Sequence, residues 1–541
     1  MENNLSPCSP TDPPIFESSD QARKYAHCLA NRPEEATALE ELQKQGLLID
    51  IASDLKSESL LLGAIESIQE RFDFSLNDSE YYSTANYFLA NAWEGLRLIR
   101  RQEWALHEWE QSELDSQVVL LRSALQSESF GNLEEGRQCQ VLTNLANVFS
   151  HNGRIIEAVR YWDQALEIDS SFPNAKGNRA YGLFQHARHL EDHGHKILHF
   201  KEALYELHML LDSDDPRLNK SARSVFEGTY KSIQSIFRPD YRPKPLTSSE
   251  LSTEMPEDEK HYRRWCLSNK LFLNDLNELP VGGYAAADVL CLPAITTDVM
   301  ASQPAVIGLF NQMKQEYASA RYFLYESQNE SEVHFSDRDV VLVNTLDYPV
   351  YGLATEKLKA AFRIAYSIFD KIAFLLNEYL ELRIRHDRVG FRSIWFNNGD
   401  AKAGLRSALL DPKYRSLKAL FWLSKELHSK DPSFTNSIEP EGREISIIRN
   451  HIEHKYFKLH EIDPPDGPGS PMRMGFEELA FSNSVHSFQN KVMRLLSLTR
   501  EGLIYTTQVI YELEYCRNRE SEGVVAPMVL SVFEDEWKRR L

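Results

Sequence analysis

Arg449, Asn450 and His454 stand within the stretch EISIIRNHIEHKYFKLHE, Glu444 to Glu461. Their types suit anion binding and proton transfer: a guanidinium offers a planar fork of donors, and an imidazole titrates near neutral pH. Spacing alone is weak support. With 17 histidines in 541 residues, chance supplies about one arginine five residues before a histidine, and Arg188 with His193 repeats the interval. A metal reading of His451, His454 and His460 with Glu453 lacks the H-E-x-x-H spacing that sets two ligands one turn apart beside a carboxylate base. No metal and no cofactor are expected.

The element that carries these residues reads as a helix. Ile445, Ile448, Ile452, Tyr456 and Leu459 recur at helical intervals and define a buried face. On such a helix Arg449 and His454 lie about 140° apart round the axis with a rise of about 7.5 Å. Asn450 and His454 are the true one-turn neighbours, as are Arg449 and Glu453. One helix therefore does not bring arginine and histidine together. Two copies related by a two-fold axis would, each lending its pair to a shared cleft.

Around this helix the chain reads as an α-helical bundle of about five helices over residues 261–519. AVIGLFNQMKQEYASARYFLYESQ has apolar residues at helical spacing through Phe310, Met313, Tyr317 and Phe323. EKLKAAFRIAYSIFDKIAFLLNEYLELRI is long and almost wholly apolar, as the centre of a bundle requires. RSLKALFWLSKELHS and SVHSFQNKVMRLLSLTREGLIYTTQVIYELEYCRN complete the set, with PPDGPGSPMRMG as a Pro/Gly loop before the last. HYRRWCLSNKLFLNDLNELP suits an ordered extended segment lying on the bundle.

Residues 17–236 read differently. Leu145-Ala146 and Arg179-Ala180 fall at corresponding points 34 residues apart, the tetratricopeptide (TPR) period. Ala146 and Ala158 are the small residues where two helices approach, Gly153 marks the turn, and Trp162 with Ala165 continues the face. Ser170 stands where such repeats prefer proline. Ala90 and Ala124 take the small positions of an upstream pair. One helix pair cannot bury its apolar face alone, so a TPR-like α-solenoid is expected, with a surface for a protein partner. Residues 237–260, rich in proline, serine and charge, read as a linker. Residues 1–16 form a flexible N-terminus and 520–541 a C-terminal tail or helix. The fold class is all-α.

Composition narrows the function. A net charge of −20 and a pI near 5.4 argue against a general nucleic-acid coat or an anionic-membrane binder. The six cysteines show no CxxC spacing, which suits reduced thiols. With no signal-peptide pattern and no long apolar run, a cytoplasmic location and no membrane partner are expected.

The R-N-x-x-x-H motif on a late helix of an all-α bundle resembles the signature of HEPN ribonucleases. HYRRWCLSNKLFLNDLNEL, NQMKQEYASARYFLYE, AYSIFDKIAFLLN and IRNHIEHKYFKLHE are similar to prokaryotic proteins in which a HEPN domain follows TPR-like repeats. The resemblance covers about half the chain. It implies metal-independent RNA cleavage by a homodimer that places two motifs in one site. Arg449 would hold the scissile phosphate, His454 would act as general acid or base, and Asn450 would orient that imidazole or touch phosphate. It further implies a toxin or antiviral-defence effector whose repeats sense a trigger.

Other residues support that reading or compete with it. Arg383, Arg385, Arg388, Arg392, Lys402, Arg406, Lys413, Arg415 and Lys418 crowd the segment before the motif, and the first four with Lys455 are candidate RNA contacts. An ordinary solvated face explains such a run equally well. Trp395, Phe396 and Tyr414 read as core more readily than as base-stacking rings. Asp370 and Lys371 face a partner or the cleft, or form a salt bridge inside the bundle. Glu453 is placed to neutralise Arg449. Two competing functions remain: a non-catalytic scaffold that binds protein partners and nucleotide or RNA, and a metal-dependent hydrolase using His451, His454 and Glu453.

Overall fold

The computed structural model describes residues 16, 18–32, 37–72, 74, 81–101, 108–297, 305–330, 332–410, 414–428, 442–462, 479–520 and 530–539. Sixteen α-helices and a two-stranded sheet make up the regular structure among them. Ten helices precede residue 236: α1 (Ser19–Ala30), α2 (Ala38–Asp54), α3 (Glu58–Arg71), α4 (Tyr82–Arg100), α5 (Ser112–Gln126), α6 (Glu135–His151), α7 (Ile155–Ile168), α8 (Pro173–Ala187), α9 (His193–Asp212) and α10 (Lys220–Gln234). From α4 to α10 each helix packs on the next. Local chemistry sets their ends. Thr37 and Glu40 form a reciprocal capping box at α2, and Asn219 accepts from the Ala222 amide at α10.

The expected helix pair forms as α6 and α7. Ala146, Ala158 and Ala165 are fully buried and Trp162 nearly so. Gly153 makes the turn at a φ of 84°, and a Cβ there would sit 2.5 Å from the Arg415 carbonyl oxygen. Only glycine serves both demands. Arg188 caps the end of α8 and His193 opens α9, so that pair never shares a helix.

The segment expected as a linker is ordered. The Ser249 amide donates to Val281 at 3.1 Å, Phe237 stacks on Tyr241, and α11 (Glu257–Ser268) already begins inside it. His261–Ser268 is accordingly helical and not extended; Tyr262 and Trp265 stack on one another along it. The bundle proper comprises α12 (Ala305–Asn329), α13 (Leu353–Tyr379), α14 (Arg415–His428), α15 (Gly442–His454) and α16 (Val485–Glu520). In α12 Leu324 points into the core where Phe323 was expected, while Phe310, Met313 and Tyr317 are buried as read. The PPDGPGSPMRMG loop lies outside the described residues, as do Lys413 and most of residues 1–16.

One correction bears on the motif. The helix ends at His454, and Phe457–His460 form strand β1, paired in parallel with β2 (Phe481–Ser484). Tyr456 and Leu459 therefore do not extend the helical stripe. Leu459 is still buried, but through the sheet, where its carbonyl accepts from the Val350 amide at 2.7 Å. Lys458 pairs with Asp347 at 2.6 Å, both almost fully buried.

The N-terminal helices α5 to α7 and the bundle share a buried seam. Arg154 is fully buried between Glu426 of α14, with which it pairs, and Glu501 of α16 at 2.9 Å. Arg122 reaches Glu426 at 3.2 Å, and Arg494 holds Glu157 at 2.6 Å. Three arginines thus face three glutamates. Burial, with Glu157 as a like charge nearby, pushes Glu501 up to about 8. The Trp422 indole donates to the Trp109 carbonyl at 3.0 Å, and Lys425 pairs with Asp115 at 2.6 Å. α14 is therefore fastened to the N-terminal helices along one face.

Cys139, Cys266, Cys291 and Cys516 carry free thiols. Cys28 is disulfide-bonded, against the expectation of reduced thiols throughout. No helix among the described residues is long and apolar enough to cross a membrane.

Candidate active site

Helix α15 is held by its apolar face, with Ile445 and Ile448 fully buried and Ile452 8% exposed. It packs on α13 and α14. Arg363, Tyr366 and Asp370 of α13 lie on one stripe, at i, i+3 and i+7. The Arg363 guanidinium donates to the Ile452 carbonyl at 2.8 Å and lies 3.4 Å from the Glu453 carboxylate. Arg449 sits over the Tyr366 ring at 5.7 Å. The contacts rise along α13 as they descend along α15, so the two helices run antiparallel.

This arrangement leaves the motif at the surface. Arg449 is half-buried, whereas Asn450 and His454 are exposed. Arg449 Nη1 donates to Asn450 Oδ1 at 3.3 Å, so the structure brings those two together. His454 closes the helix at its C-terminal end. It makes no hydrogen bond or ion pair among the described residues. Arg449 and His454 diverge round the axis as the helical geometry requires.

Glu453 pairs with Arg363 and not with Arg449, which corrects its expected role. The Arg449 guanidinium keeps its charge available on the exposed side. Asp370 is exposed and accepts from the Phe391 amide at 3.1 Å, anchoring the loop after α13. Lys371 takes the salt-bridge alternative, pairing with Glu316 of α12.

Two residues that sequence reasoning passed over complete the surroundings. Tyr366 is buried, and its hydroxyl lies 3.5 Å from His428 Nδ1. Burial pushes the Tyr366 phenol up to about 12, partly offset by Arg449 and by a hydrogen bond from Ser446. Burial, with the positive charges of Arg392 and Arg449, drives His428 down to about 4, so the imidazole is neutral at physiological pH. The sequence signal for Tyr366 was faint: a hydroxyl one turn before Asp370 in an otherwise apolar helix.

The basic run divides. Arg392 is exposed and shares the surroundings of His428 with Arg449. Arg383, Arg385 and Arg388 are exposed beyond the end of α13, and Arg385 is paired with Asp387 at 2.8 Å. After Leu380 the chain turns back along α13, with the Phe391 amide on Asp370. Lys455 is exposed directly after the motif. Arg406 donates to the Ile394 carbonyl at 2.9 Å, while Arg415 and Lys418 turn to the seam with the repeats. Trp395 is buried against Trp109, Phe391 and Phe421, as expected of core. His451 Nδ1 lies 2.9 Å from the Ile447 carbonyl, and its ring stacks near Phe481; His460 is buried in β1. The three histidines of the metal reading therefore do not converge.

Residues 297–513, from just before α12 to within α16, match the family model described as LA2681-like HEPN. That stretch is similar to a HEPN domain. The motif helix, Tyr366, His428 and the fastened helix α14 all fall inside the matched segment. That similarity ties the chain to a nuclease-type or nucleotide-related function. No curated protein and no solved structure matches the chain significantly.

Proposed function

We propose that the protein is a metal-independent endoribonuclease of HEPN type, acting as a homodimer, with Arg449, Asn450 and His454 as its catalytic residues. The observation that carries this reading is the intact R-N-x-x-x-H set on α15, with Glu453 drawn off to Arg363 and Arg449 without a carboxylate partner among the described residues. Arg449 binds the scissile phosphate and stabilises the charge that builds on it. His454 removes the proton from the ribose 2′-hydroxyl or returns one to the leaving 5′-oxygen. The 2′-oxygen bonds to phosphorus as the bond to the 5′-oxygen breaks, which leaves a 2′,3′-cyclic phosphate and a 5′-hydroxyl. Asn450, already bonded to Arg449 and one turn from His454, aligns the pair.

Because Arg449 and His454 of one helix diverge, a second copy supplies the facing group. Arg392 and Lys455 line the approach of the RNA. Arg383, Arg385 and Arg388, exposed after the end of α13, extend it. Residues 17–236 act as a TPR-like solenoid that receives a protein partner or trigger, in a cytoplasmic toxin or antiviral-defence effector. Arg449→Ala and His454→Ala each abolish cleavage in the presence of EDTA on this reading. A purified dimer with no nuclease activity on any RNA would instead favour a scaffold that binds protein partners and nucleotide.

A further inference from the structure

A cavity of about 490 Å³ opens at the seam between the repeats and α14. Its size falls in the range of small-ligand sites. The repeats contribute Asn147 and Ser150 of α6, Trp162 of α7, and Asn178 and Tyr181 of α8; the bundle side contributes Arg415 and Lys418. No carboxylate is among its described lining residues. In a chain of net charge −20 that is a selective exclusion.

Lys418 is the decisive residue. It is only 6% exposed, yet its ammonium makes no hydrogen bond or ion pair among the described residues. The charges acting on it are two further cations, Arg415 and Arg97, and Arg97 is already matched by Glu94 at 2.8 Å. Burial, with those like charges, pulls the Lys418 ammonium down to about 7. Arg415 donates to the Ser150 carbonyl at 2.6 Å and has no carboxylate within pairing distance among the described residues. The carboxylate that acts on it, Glu512, is taken up by the Ser416 hydroxyl at 2.8 Å and by His189 at 3.0 Å. A buried cation without a counter-ion is costly unless an anion completes it.

The rest of the wall is flat and polar in patches. Trp109, Trp162, Tyr181 and Tyr414 bring rings to the cavity. Asn178 makes no hydrogen bond among the described residues, and Asn147 uses only its carbonyl oxygen, to accept from the Trp162 indole at 3.2 Å. Rings to stack on, amides to read polar edges and an unmatched ammonium fit a planar base carrying a phosphate. We propose that this seam cavity binds a nucleotide, its phosphate on Lys418 and Arg415 and its base against the aromatic wall. The site is separate from the motif on α15 and does not depend on the ribonuclease reading. A ligand there would bridge α6 to α8 and α14, the helix whose far end carries His428 beside Tyr366.

Titration calorimetry of the full chain with AMP, GMP, CMP and UMP, and with inorganic phosphate as comparator, tests the assignment. At least one nucleotide binds one-to-one with a Kd below about 1 mM, and phosphate alone binds about tenfold more weakly. Lys418→Met weakens the nucleotide about tenfold or more, and Asn178→Ala, which removes no bond of the folded chain, weakens it without loss of fold. Lys418→Met without ligand also melts higher than wild type, because it deletes an unmatched buried charge. Failure of all four nucleotides to bind, unaltered binding by Lys418→Met, or phosphate binding as tightly as the nucleotide would each overturn the proposal.

Discussion

The divergence of Arg449 and His454 on α15 makes a quantitative prediction about subunit mixing. Five residues at 100° each leave the side chains about 140° apart with a rise of about 7.5 Å, too divergent for one helix to clamp one phosphate between them. Arg449→Ala removes transition-state charge stabilisation and His454→Ala removes proton transfer, each worth about 10²- to 10⁴-fold in rate. Neither variant alone has a complete set. Mixed after dissociation and reassociation at equal amounts, about half of the dimers contain one arginine and one histidine contributed from opposite subunits. The mixture therefore recovers between about one quarter and one half of wild-type activity, depending on whether a dimer holds two productive pairs or one. The assay is cleavage of a fluorophore–quencher RNA in EDTA, with heterodimer formation verified by native mass spectrometry through distinct tags. Mixed dimers that form but recover nothing would refute the shared site, and so would full activity of either variant alone.

Three further outcomes follow from the fold. Arg154→Met leaves Glu426 and Glu501 buried without their shared cation and costs about 3–5 kcal/mol in chemical denaturation; a change below about 1 kcal/mol would show that the seam is not built on this network. Gly153→Ala forces both a strained φ and a clash with the Arg415 carbonyl, so it lowers the melting temperature and increases amide exchange at the start of α14; unchanged exchange there would contradict the packing. The Lys418 ammonium is held down at about 7 in the folded chain against an ordinary 10.5, so the unfolded chain binds more protons between those values. Stability from this group therefore rises with pH from about 7 to 10.5, by on the order of 3–5 kcal/mol at most, and a pH series of denaturation curves for Lys418→Met is flatter than wild type by that amount.

The sequence made some of this legible and hid the rest for identifiable reasons. Helical periodicity located α12 to α16 because their apolar stripes are continuous, and the small alanines with Gly153 located the α6–α7 hairpin. The stripe of the motif helix ran on too far. Tyr456 and Leu459 keep helical spacing after Ile452, and only the partner strand Phe481–Ser484, contributed from beyond a Pro/Gly segment, makes Phe457–His460 a strand. Glu453 pairs across helices with Arg363, a contact that one-turn neighbour rules do not reach. The basic run before α14 divides in the structure: Lys418 turns inward to the seam, Arg385 pairs with Asp387, and Arg392 shares the surroundings of His428 with Arg449. The seam had no sequence signal, since Arg154 and Glu501 are 347 residues apart.

The most direct test of the central claim is the chemistry of the RNA ends. Purified wild type in EDTA should produce fragments ending in 2′,3′-cyclic phosphate and 5′-hydroxyl, resolved by mass spectrometry, and His454→Ala should produce none. Cleavage that persists in His454→Ala, or that disappears on chelation alone, would contradict the account.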